Sequence, residues 1–94
     1  MGLRIEFSPG ARADLLAIEA WIRVDDPAAA ARVVSRIRQT VMMLGQFPKL
    51  GHAGDVAGTR ELTVAGLPYR IVYRQAVPEV VDIVAIVDGR RRWP

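Results

Sequence analysis

Leu3, Ile5 and Phe7 alternate with Arg4 and Glu6, the period of two that marks a strand burying one face. Ser8 followed by Pro9 combines an N-cap with a first-turn proline, whose missing N–H costs nothing where no earlier carbonyl would have accepted it. A helix is therefore predicted from this point. Ala11, Leu15, Ile18 and Ile22 recur at spacings of four, three and four and lay an apolar stripe that Arg12, Asp14, Glu19 and Arg23 mostly avoid. This helix is expected to run to about Val24. Asp25, Asp26 and Pro27 repeat the cap-and-proline signal after a tight turn, which predicts a helical hairpin.

In the second helix Val34, Ile37, Val41 and Leu44 carry the apolar stripe, with Arg32, Ser35, Arg36 and Gln39 tending to the other side. Met42 and Met43 read as core filler or as residues of the hairpin face. Gly45 is the expected C-terminal stop, and Pro48 prevents a restart. Residues 48 to 58 hold Pro48, Gly51, Gly54 and Gly58 without periodicity, the composition of a loop. Three strands follow, Arg60 to Val64, Tyr69 to Arg74 and Val80 to Val87. Their short connections, Ala65 to Pro68 and Ala76 to Glu79, predict an antiparallel meander. The last is apolar except at Asp82, as expected of a central strand covered on both faces. The predicted fold is α+β, in the order β-α-α-β-β-β, with the hairpin packed on one face of a single curved sheet.

Length and composition narrow this picture. With 94 residues the chain is expected to form one domain over 1–94, because two cores of that size would leave too much apolar surface wet. A chain that is 51% hydrophobic and 24% charged is unlike disordered proteins and should fold. The absence of cysteine excludes disulfides, thiolate zinc sites and cysteine nucleophiles. No secretory signal and no apolar stretch of the roughly 20 residues that span a bilayer is visible, so the expected compartment is the cytoplasm. The net charge of +3 favours an acidic partner. All the basic residues but Lys49 are arginine, the side chain suited to bidentate contacts with phosphate or carboxylate, although biased codon usage would produce the same excess.

This order of elements, together with Phe47-Pro48, Gly51-His52, Arg60-Glu61-Leu62, Tyr69-Arg70-Ile71-Val72-Tyr73-Arg74 and the segment Val87-Asp88-Gly89-Arg90-Arg91-Arg92-Trp93-Pro94, resembles the RelE/ParE family of toxins from bacterial type II toxin–antitoxin pairs. The likeness covers nearly the whole chain, and it lies in the order and spacing of pieces that are individually undistinctive. The resemblance implies one of two activities. One branch of the family cleaves messenger RNA on the ribosome; the other inhibits DNA gyrase without hydrolytic chemistry of its own. Both are neutralised by a cognate antitoxin. A small acidic antitoxin, in a hetero-oligomer with this chain, is the expected partner, with Arg60, Arg74 and Trp21 the residues expected to meet it. No cofactor and no membrane partner is expected.

Cleavage of RNA needs a base for the 2′-hydroxyl, positive charge for the transition state and an acid for the leaving oxygen. Arg70 matches the arginine that the nuclease branch carries on its third strand, and Arg91 the one just after the last strand. The branch's second-strand basic residues fall on Glu61 and Thr63, so they are missing. Asp88 stands where many relatives have histidine, and an anion suits a phosphate site poorly unless an arginine neutralises it. The branch's C-terminal tyrosine or histidine has no counterpart before Pro94, where Trp93 offers no useful proton chemistry. His52, the sole histidine, lies in the glycine-rich loop before the second strand and is a candidate for proton chemistry, but such a loop residue is more often merely solvated. With no second histidine or cysteine beside it, no metal site is expected. Asp25 and Asp26 resemble paired carboxylates, but their place before Pro27 explains them as a turn and cap.

Trp21 reads most simply as a residue packing the hairpin. Trp93 near three arginines suits stacking on a base or anchoring an interface, or folding back on the sheet. Arg90, Arg91 and Arg92 form the densest charge in the chain, ordinarily a solvated run, which the resemblance turns into a candidate interface. Loss of the base-like residues with retention of the arginines favours the gyrase-directed branch, with Arg70, Arg90, Arg91, Arg92 and Trp93 as target-binding residues. The alternative is a ribosome-dependent messenger-RNA endoribonuclease using Arg70, Arg91 and His52. A third reading is a non-toxic co-repressor that serves only to bind its antitoxin.

Overall fold

A computed structural model describes residues 2–90. Its elements are β1 (Arg4–Phe7), α1 (Pro9–Arg23), α2 (Pro27–Gln46), β2 (His52–Ala53), β3 (Arg60–Thr63), β4 (Tyr69–Val77) and β5 (Val80–Asp88). The five strands form one sheet in the order β1-β5-β4-β3-β2. β1 pairs parallel with β5, from Arg4 opposite Val80 to Phe7 opposite Ile83, and the remaining pairs are antiparallel. The apolar run Val80 to Val87 thus sits between two neighbours, as its composition predicts.

Both helix starts follow the sequence signals. The Ala11 N–H donates to Ser8 Oγ at 3.0 Å, and the Ala29 N–H donates to Asp26 Oδ1 at 3.0 Å, each satisfying a first-turn donor that the helix cannot. Ala11 and Leu15 of α1 and Ile37, Val41 and Leu44 of α2 pack on Ile71, Tyr73, Val81 and Ile83 of the sheet, with Ile18 and Val34 partly buried against them.

β5 carries a bulge that fixes α1 to the sheet. Val72 lies opposite Ala85 while Tyr73 lies opposite Ile83, which leaves Val84 as the extra residue. The slip reverses the alternation, so Val81, Ile83 and Ile86 join the core beneath the helices, while Ala85 and Val87 cluster with Val72 on the opposite face. Side chains from α1 take up backbone groups at the irregularity. Ser8 Oγ donates to the Val84 carbonyl at 2.9 Å, and the Ile86 N–H donates to Asp14 Oδ2 at 2.9 Å.

The structure departs from the sequence reading in several places. α2 passes through Gly45 to Gln46 and is capped by Phe47, so Gly45 is not the stop. It is the point of closest approach to the first strand: the Leu3 N–H donates to the Gly45 carbonyl at 2.7 Å, and a β-carbon on Gly45 would stand 3.0 Å from the Leu3 oxygen. Met42 and Met43 are exposed rather than core filler, and Trp21 is 69% exposed rather than packing the hairpin. β4 continues to Val77, opposite Val80, which shortens the predicted four-residue turn to Pro78-Glu79. Where the sequence predicts loop, the two-residue β2 forms the sheet edge, too short to show any alternation.

Tyr73 explains how the loop after α2 is held. Its buried hydroxyl donates to the Pro48 carbonyl at 2.8 Å and accepts the Gly51 N–H at 2.8 Å, while Arg60 Nη1 donates to the Gly51 carbonyl at 2.8 Å. Only glycine fits at 51, because a β-carbon there would lie 2.7 Å from the Glu61 carbonyl oxygen and 2.8 Å from the Tyr73 hydroxyl. Tyr73→Phe should lower stability by about 1–3 kcal/mol, the cost of leaving a buried donor and acceptor unpaired, measured as a shift of the denaturation midpoint at unchanged slope. An unchanged midpoint would mean that water replaces the hydroxyl.

Candidate functional site

On the sheet face away from the helices, each arginine described there is paired with a carboxylate. Arg70 Nη1 lies 3.2 Å from Glu61 Oε1. Arg74 Nε lies 3.7 Å from Asp82 Oδ2, from directly opposed positions on β4 and β5. The Arg90 pair lies elsewhere: Asp88 opposes the core residue Tyr69 and so is on the helix side of the sheet, where Arg90 Nη2 meets Asp88 Oδ2 at 2.9 Å and both the Arg90 Nε and its backbone N–H donate to Asp88 Oδ1. That hydrogen bonding to Asp88, followed by its charge, holds the Arg90 guanidinium above its ordinary range. Asp88 therefore has the neutralising arginine that a carboxylate near phosphate would require.

Glu61 is the residue that positions Arg70. It is only 3% exposed, and its second oxygen accepts the Asp55 N–H at 3.3 Å. Register places Glu61 opposite Val72 and Thr63 opposite Arg70, so Glu61 and Arg70 are diagonal neighbours on one face, within reach for long side chains. Arg70 Nε is buried without a hydrogen-bond partner among the described residues. The guanidinium is thus held by one carboxylate through Nη1.

His52 lies opposite Glu61 on β2, which puts it on the Arg70 face, at the end of a row running His52, Glu61, Arg70 across three strands. Two strand spacings, roughly 10 Å, separate its backbone from that of β4. Its ring is exposed, with Nδ1 2.9 Å from the Ala53 carbonyl oxygen. Of the residues expected to meet an antitoxin, Arg60 faces the helix side, opposite Tyr73, whereas Arg74 is on the other face. Trp21 stands exposed on α1. The three do not form one surface. Arg91, Arg92 and Trp93 lie outside the described residues. Among the described residues no cluster of histidine, cysteine or carboxylates is arranged to hold a metal.

Residues 5–93 match the family model described as the ParE toxin of the type II toxin–antitoxin system parDE. The chain belongs to the ParE toxin family. A protein of Sinorhizobium fredii named "Putative toxin Y4kP" is 41% identical over 91 residues, covering 97% of this chain and 93% of that protein. Among solved structures, a chain from the chromosomal ParDE system of Pseudomonas aeruginosa superposes with a TM-score of 0.83 at 27% identity, over 92% of this chain and 95% of the other. A chain of the toxin–antitoxin complex RelBE2 from Mycobacterium tuberculosis shares the fold, with a TM-score of 0.69 at 20% identity over 94% and 99% of the two chains. As a ParE family member the chain is a toxin of a type II system, with the β-α-α-β-β-β order predicted and one added edge strand.

Sequence reasoning treated Glu61 only as a missing basic residue. The signal for its pairing was present: counting outward in both directions from the Ala65–Pro68 turn brings Glu61 and Arg70 onto adjacent strands.

Proposed function

We propose that this ParE-family toxin acts in the cytoplasm by binding DNA gyrase, not by cleaving RNA, and that a small acidic antitoxin neutralises it. The Glu61–Arg70 pair carries this reading. Where a nuclease of the wider family would place a basic residue, this chain has a buried carboxylate, and that carboxylate occupies the arginine a nuclease would need. The gyrase interface takes in Arg70, Arg90, Arg91, Arg92 and Trp93. No helix among the described residues is long and apolar enough to cross a membrane.

The purified chain should inhibit gyrase supercoiling or stabilise gyrase-cleaved DNA while leaving ribosome-bound messenger RNA intact, and addition of the antitoxin should reverse the effect. The His52, Glu61, Arg70 row favours the endoribonuclease as second reading, since it sets the only imidazole on the arginine's face. Codon-positioned cleavage of messenger RNA with gyrase unaffected would establish that alternative. Normal growth on induction, with antitoxin binding retained, would establish the co-repressor instead.

A further inference from the structure

We infer that the outer side of the helical hairpin, through Arg12, Arg32, Arg36 and Arg38, is a binding surface for the phosphate backbone of duplex DNA. It is distinct from the sheet face that carries Arg70 and does not depend on the gyrase assignment.

The charges of this protein are divided between its two sides. On the sheet face away from the helices Arg70 and Arg74 each have a carboxylate partner, and Arg90, past the end of β5, is paired with Asp88. Arg4 on β1 is paired with Glu6, and Arg23 at the end of α1 with Glu19. α2, in contrast, carries three arginines and no carboxylate along its whole length. Among the described residues none of Arg12, Arg32, Arg36 and Arg38 forms an ion pair, and all four are exposed. The one recorded tie is a hydrogen bond from Arg36 Nη1 to the Ala65 carbonyl at 3.0 Å, which orients that guanidinium without neutralising it.

Arg32 and Arg36 are one helical turn apart, about 6 Å along the axis. They border a shallow depression with Ala31, Ser35 and Gln39. Across the hairpin, Arg12 and Arg38 flank a cleft of about 370 Å³ floored by Phe7, Leu15 and Leu16. The four uncompensated guanidinium groups are spread over the outer side of the hairpin, Arg32 and Arg36 on one flank of α2 and Arg38 on the other across from Arg12, and the first two stand beside a hydroxyl and an amide that also bond phosphate oxygens. An acidic protein segment is the competing ligand. It would need apolar area to bury: the Arg12–Arg38 cleft offers some through Phe7, Leu15 and the exposed Leu16, but Ala31, Ser35 and Gln39 beside Arg32 and Arg36 provide little, and exposed Met42, Met43 and Phe47 lie beyond them toward the end of α2. Phosphates need only charge and donors.

The test is titration of a short random-sequence duplex with the purified full-length chain over a range of salt concentrations, without gyrase. Each phosphate neutralised contributes about −0.9 to the slope of log affinity against log salt. Wild type should show a slope of about −3, and the triple variant R32Q/R36Q/R38Q should lose about two to three units of it. R32K/R36K/R38K, which keeps the charge, should retain the slope, and R4Q/R74Q should behave as wild type. Because all the substituted side chains are exposed, the melting curve of each variant should match that of wild type. A triple glutamine variant with the wild-type slope would overturn the inference, as would a wild-type chain that ignores duplex DNA while binding polyglutamate. Neither outcome bears on gyrase inhibition, which is read in a separate assay.

Discussion

Replacing Ile37 with aspartate should leave the chain without a cooperative melting transition. Ile37 is 0% exposed and lies in the centre of the core that α2 shares with the sheet. Its burial contributes roughly 1.5–3 kcal/mol, all of which the substitution removes. The new carboxylate then has to ionise without a partner or take up a proton, and either adds several kcal/mol. Against a total stability of about 5–15 kcal/mol for a domain of ordinary size, with small domains at the lower end, that loss is decisive. Ile37→Val is the control, removing one methylene for about 0.5–1.5 kcal/mol while preserving the transition. Circular dichroism on heating and in urea reads both. A soluble Ile37→Asp protein with a sharp transition would mean that α2 presents another face to the sheet.

That core was legible because its periodicities are strong and locally consistent. Leu15, Ile37, Val41 and Leu44 fall on stripes that only a helix produces, and Ser8-Pro9 and Asp26-Pro27 set the starts by capping chemistry that is local by nature. What escaped was set by tertiary context. Gly45 looked like a terminator because glycine usually ends helices, but here it serves close approach to Leu3, which no local rule reveals. The Val84 bulge has no sequence signature in a strand that is apolar at every position from Ile83 to Val87, and without it the inward and outward residues of β5 cannot be sorted past Ile83. The arginines of the candidate site were legible as residue types but not as charges. Whether Arg70, Arg74 and Arg90 are available depends on Glu61, Asp82 and Asp88, two of them on neighbouring strands, and this pairing follows only from register. Among the described residues the arginines left without a carboxylate are Arg60 on β3, which donates to the Gly51 carbonyl, and Arg12, Arg32, Arg36 and Arg38 on the helices.

At the target interface the largest expected loss comes from removing the terminal arginine run. Arg90→Ala, Arg91→Ala and Arg92→Ala should each weaken gyrase inhibition modestly, since one charge contact at a solvated interface contributes up to about 1 kcal/mol at low salt. Together they should cost about a hundredfold. The losses should shrink as salt rises, because screening has already removed part of each contribution. Arg70→Ala should behave differently under the two mechanisms. In a gyrase binder Arg70 is one contact among several, already compensated by Glu61, and its loss should change inhibition by less than about tenfold, or 1.4 kcal/mol. In a nuclease Arg70 would stabilise the charge that develops on the phosphate, and its removal would slow cleavage by about 10² to 10³ with substrate binding less affected. Glu61→Gln sharpens the contrast. Freed of its carboxylate, Arg70 would become a better phosphate ligand and a nuclease would accelerate, whereas a gyrase binder should lose stability and gain no RNA cleavage. Supercoiling inhibition that declines in steps with the terminal arginines, alongside intact messenger RNA for wild type and Glu61→Gln alike, is the expected result. Cleavage by wild type that Arg70→Ala abolishes would replace the gyrase reading with the nuclease one.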